Sequence, residues 1–118
     1  MNEGGAISVL GAGLVSLAVF IGVVALGAGR LLAASAQVQT AADAAALAAA
    51  PATFLGPDAV KVAALLAAEN GARLVACDCG IDRTPVVRVV RVEVAAFVDA
   101  GLLGVHEVRA SARAEFDP

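Results

Sequence analysis

The 118-residue chain contains no Trp and no Tyr, four Phe, one His and two Cys. So few aromatics leave no stacking platform for bases. A net charge of -3, with no run of like charges, offers phosphates no basic surface. Nucleic-acid binding is excluded on both grounds. The single histidine, His106, has no Ser or Cys nucleophile beside it in a recognisable motif. No carboxylate pair sits in a Gly-rich turn, and there is no phosphate loop. The G-x-G at residues 11–13 follows no strand and lies inside an apolar run, so it is not a nucleotide fingerprint. These absences point away from an enzyme and from any cofactor or small-molecule substrate.

Charge is also missing locally. Residues 6–29, AISVLGAGLVSLAVFIGVVALGAG, hold no charged side chain, in a chain that is 60% hydrophobic with mean hydropathy +0.87. At 1.5 Å per residue this stretch makes a helix of roughly 36 Å, enough to cross a bilayer core of about 30 Å with some tilt. It reads as a transmembrane helix. A signal peptide cut at the A-x-A-like site Ala34-Ser35-Ala36, freeing a domain that starts at Gln37, is the rival reading. Against it stand a lead-in, MNEGG, without Lys or Arg, and an apolar core longer than signal peptides use. Arg30, the first basic residue, follows the span, so charge by itself leans toward an outside N-terminus.

Proline and glycine are absent from residues 31–50, LLAASAQVQTAADAAALAAA, a run dominated by strong helix formers. The helix is therefore expected to continue unbroken from about Ile7 to Ala50. Leu31, Ala34, Val38, Ala41, Ala42, Ala45 and Ala49 share one face of it, and Ser35, Gln39, Thr40 and Asp43 the other. PATFLGP should break it. Asp58 is then the N-cap of a second helix ending at Glu69, with Asn70-Gly71 as its stop and Val62, Leu65 and Leu66 turned inward. Strands are expected over residues 72–77, 86–98 and 105–116, the second central and the third alternating between a wet and a dry face, with His106 at a partly buried strand end. The expected fold class is α+β. Residues 1–50 form an N-terminal helix, with 6–29 transmembrane and 30–50 an amphipathic extension, and residues 51–118 form a small head of one helix and a three-stranded antiparallel sheet. So small a head buries little surface of its own and needs the helix's upper face.

GGAISVLGAGLVSL, AQVQTAADAAALAAA and AAENGARLVAC, followed by alternating valine strands, resemble the TadE-like proteins of tight-adherence (Flp-type) pili, especially their small actinobacterial members, on the pilin and pseudopilin plan. The resemblance implies a structural subunit or minor pilin of a type IV pilus, stored in the cell membrane by its helix, with the head extracytoplasmic and the filament outside the cell. Its partners would be other pilin-like subunits, through the helix, and the pilus or secretion machinery. A single-pass accessory protein that is never polymerised is the alternative. Prepilin-peptidase cleavage after Gly4 or Gly5 would leave Val9 or Leu10 at the fifth mature position, where many relatives carry Glu.

Small residues including Gly11, Ala18, Gly22, Ala25 and Gly29 line one side of the span, as in closely packed helices. An extracytoplasmic head permits a disulfide, and Cys77 and Cys79 share one face of a strand. Three readings of the pair stay open: a bridge within or between chains, two reduced thiols at a strand end, or a metal site. For the last, Asp78, Asp82 and His106 are the only further ligands at hand, and C-x-C with one His matches no zinc spacing.

Overall fold

In a computed structural model the chain has an α+β arrangement, described over residues 3–56 and 58–118; Met1 and Asn2 of the lead-in, and Pro57, lie outside the described residues. Helix α1 (Glu3–Leu55) and helix α2 (Ala59–Glu69) precede strands β1 (Arg73–Asp78), β2 (Arg88–Asp99) and β3 (Val105–Phe116). The sheet is antiparallel in the order β1-β2-β3, so β2 is central.

The first helix does not stop at Ala50. Pro51 lies inside it, and the helix runs on to Leu55. Proline removes one amide donor and crowds the carbonyl four residues back, but here the last turn is held by the head. Ala50, Ala52 and Thr53 are buried, the Thr53 hydroxyl donates to the Ala50 carbonyl at 2.7 Å, and the Asp82 amide donates to the Thr53 carbonyl at 3.1 Å. Tertiary burial outweighs the local cost of the proline.

The second helix begins and ends as its sequence dictates. The Asp58 carboxylate accepts the Val60 amide at 3.0 Å. At the other end Gly71 has φ +79°, its amide donates to the Ala68 carbonyl, and the Ala72 amide reaches back to Ala67 at 2.9 Å. That is the Schellman pattern, and it needs a left-handed residue where the sequence supplies glycine.

The core is built from small side chains. Ala41, Ala42, Ala45, Ala46 and Ala49 of α1 meet Ala59, Ala63 and Ala67 of α2, which brings the helix backbones close. Val90, Val92 and Val94 fill the space beneath the sheet, with Val108, Ala110, Ala112, Ala114 and Phe116 of β3 beside them. Leu65 is not part of this core: it is 58% exposed. The inward stripe of α2 is Ala59-Ala63-Ala67, flanked by Val62 and Leu66, and position 65 is two residues from the nearest stripe members and so faces away. On β1 a bulge between Leu74 and Ala76 lets Leu74 and Cys77, three residues apart, both turn inward. On the wet face, Ala95 is buried between Arg73 and Arg109, which Glu107 bridges at 3.1 and 2.6 Å.

Val92→Asp is expected to unfold the head, because an unpaired buried charge costs several kcal/mol, comparable with the whole stability of a small domain. Leu65→Asp should shift stability by no more than about 0.5 kcal/mol, as exposed substitutions do. Thermal melting of the full-length variants in detergent, followed by circular dichroism, checks both.

Candidate functional site

The chain extends 85 Å, and the head leaves the first part of α1 uncovered. Residues 3–22 are exposed throughout. Between residues 7 and 26 eleven large apolar side chains stand free: Ile7, Val9, Leu10, Leu14, Val15, Leu17, Val19, Phe20, Ile21, Val24 and Leu26. Covering such side chains is worth about 1.5–3 kcal/mol each, so together roughly 20 kcal/mol or more is at stake, beyond the net stability of an ordinary domain. Nothing among the described residues supplies that cover. The helix is long and apolar enough to cross a membrane.

Gly11, Ala18, Gly22, Ala25 and Gly29 are all exposed, and a Cβ built at Gly11, Gly22 or Gly29 would meet nothing within 4 Å. The small stripe is thus free of the chain's own head. Val19, Gly22, Val23, Leu26 and Gly29 shape a shallow apolar groove along it that runs past Arg30 to Ala33. Gly4 and Gly5 are exposed in the first turns of α1 with open space around both. Ala34, Ser35 and Ala36 lie within the continuous helix, where Ala34 is half-buried.

Within α1 the glycine that does meet the head is Gly27, which the stripe does not include. It is buried, and a Cβ there would stand 2.7 Å from the Ala100 carbonyl oxygen and 3.0 Å from Leu103 Cδ1. The turn joining β2 to β3 contains a short 3-10 segment, Gly101–Leu103, that lies against the helix at this point. In the sequence, GLLG between the second and third strands marks a turn and does not by itself report this contact. Two leucines at the tip of a turn, where polar residues are the rule, were the available signal.

Cys77 and Cys79 are joined as a disulfide within the chain, with Cα atoms 5.3 Å apart; Cys79 is buried and Cys77 half-buried against the core. His106 is not partly buried but exposed, and its Nε2 meets the Leu103 carbonyl oxygen. Among the described residues no group of three or more His, Cys, Asp or Glu side chains is placed to hold a metal ion. The perturbed titrations have local surface causes. The Thr84 amide, then its hydroxyl, hold Asp82 below its ordinary value, and Arg109 does the same for Glu107, which in turn raises Arg109.

These contacts separate the two kinds of glycine. Gly27→Leu should lift the β2–β3 turn from the helix, read as faster amide exchange over residues 100–104, whereas Gly22→Leu should leave the head's exchange unchanged. Equal effects, or none from Gly27→Leu, would contradict the packing described.

No curated protein and no solved structure gives a significant match to the chain. Residues 4–52, nearly the whole of α1, match the family model described as Tad, Putative Flp pilus-assembly TadE/G-like. Together with the long apolar helix and the small α+β head, that match makes the N-terminal helix similar to TadE-like tight-adherence pilus proteins and supports that family for the chain.

Proposed function

We propose that the chain is a pilin-like structural subunit or minor pilin of a tight-adherence type IV pilus, held in the cell membrane by residues 6–29 until it is assembled. The single observation that carries this reading is the row of eleven uncovered apolar side chains on a continuous helix. A helix in lipid satisfies its own backbone, so an apolar exterior is stable there and nowhere in water. The small stripe along Gly11, Ala18, Gly22, Ala25 and Gly29 suits close approach of a second helix once the subunit leaves the bilayer. On this reading residues 1–50 anchor and assemble, residues 51–118 form the extracytoplasmic head, and the partners are further pilin-like chains and the assembly machinery. The role is structural and involves no catalysis.

The start of the mature chain follows from the same reading. Gly4 and Gly5 lie open at the end of the helix, and cleavage after either leaves the apolar segment intact. Mass spectrometry of sheared filaments should recover this chain beginning at Gly5 or Ala6. A non-polymerised accessory role is favoured by one observation, Val9 or Leu10 at the fifth mature position. It would show as a chain starting at Met1 and confined to the membrane fraction; a start at Gln37 in the medium would overturn both.

The disulfide is assigned a structural part. A ring closed over one intervening residue removes little chain entropy, and the bridge sits at the end of β1 with acidic neighbours in Asp78 and Asp82 that disfavour a thiolate. Cys77→Ser with Cys79→Ser should therefore leave filament incorporation intact. Loss of incorporation with the head still folded would contradict that assignment.

A further inference from the structure

We propose that the β2–β3 turn is a foot that rests on the lipid bilayer, with Leu102 and Val105 dipping into the interfacial layer while the subunit is stored in the membrane. The proposal rests on the reading of residues 6–29 as the membrane span. That stretch is roughly 36 Å long against a hydrocarbon core of about 30 Å, so when it is centred the core ends close to residue 27. Gly27 is where the turn touches the helix, with Ala100 and Leu103 in contact. The head thus reaches down α1 to the level at which the bilayer begins.

The side chains at that level have interfacial chemistry. Leu102 is 78% exposed and Val105 66%, and neither has a place in the head's core. Leu103 is 38% exposed and uses the rest of its surface against Gly27. The exposed Arg30 side chain lies beside Gly101, three residues above Gly27, where a guanidinium meets headgroup phosphates. The one carboxylate in the turn, Asp99, accepts the Gly101 amide at 2.9 Å and so is bound to the turn's own backbone. Gly101 and Gly104, at φ +67° and +83°, give the tip a fixed, tight shape. Two apolar residues at the tip of a hairpin would be a solubility liability in water. Against a bilayer already occupied by the adjoining helix they add buried area at little entropic cost, because the helix has already fixed the head's position.

The absence of tryptophan makes a direct test available, since one introduced indole is the only such fluorophore in the chain. Leu102→Trp, Phe20→Trp and Leu47→Trp are made in the full-length chain and reconstituted into phosphatidylcholine–phosphatidylglycerol vesicles with and without brominated acyl chains. Phe20 reports the span, and Leu47 is exposed on α1 about 30 Å above Gly27. The proposal expects blue-shifted emission and bromine quenching at positions 20 and 102, with red, unquenched emission at 47. Quenching at 20 but not at 102 overturns the foot and leaves the span standing. A blue shift at 102 without quenching means that protein, such as a second copy of the chain, covers the turn, and overturns the proposal as well. Quenching at 47 as well as 102 means the head adsorbs without orientation and also overturns it. No quenching at 20 removes the span and the foot together.

Discussion

On the reading proposed above, one helix serves two solvents, and every other feature of the molecule follows from how it is divided between them. Helix α1 is continuous from Glu3 to Leu55, yet its lower residues show large side chains to their surroundings on all sides while its upper residues bury alanines against the head. The difference lies in side-chain size as well as polarity. Below, Val, Leu, Ile and Phe need an external apolar medium. Above, Ala41, Ala42, Ala45 and Ala49 allow α2 and the sheet to approach closely enough for a head with few large residues to have a core at all. The head could not be stable at this size without that face.

The alanine interface also explains which residues are sensitive. With so few large buried side chains, the central valines of β2 supply most of the core's volume, and their loss has no neighbour to compensate for it. The outer face of the sheet depends instead on the Arg73–Glu107–Arg109–Glu93 row, with Ala95 small enough to let the arginines cross it. Such exposed pairs contribute little individually and serve mainly to keep that face wet.

Much of this was legible in the sequence. The inward face of the upper helix, the Asp58 cap, the Asn70-Gly71 stop and the central position of β2 all rest on local rules that the fold does not override. Hydrophobicity alone misplaced Leu65, because against an alanine-faced partner the shortest residues are the ones that go inward. Pro51 was read as a breaker, and burial of Ala52 and Thr53 by the head kept the helix intact around it. The contact at Gly27 was invisible because it joins residues more than 70 positions apart, and no periodicity in either segment reports on it. The candidate assembly surface was legible as composition; that the chain leaves it uncovered required the fold.

The claim that α1 is divided between two media is tested most directly by amide hydrogen exchange of the full-length chain in lipid nanodiscs, resolved along the helix. The account predicts that residues 6–26 are protected by the bilayer independently of the head, so that mild denaturant releases residues 38–50 along with the head's strands while 6–26 stay protected. Rapid exchange over 6–26 in the nanodisc, with 38–50 still protected, would contradict it.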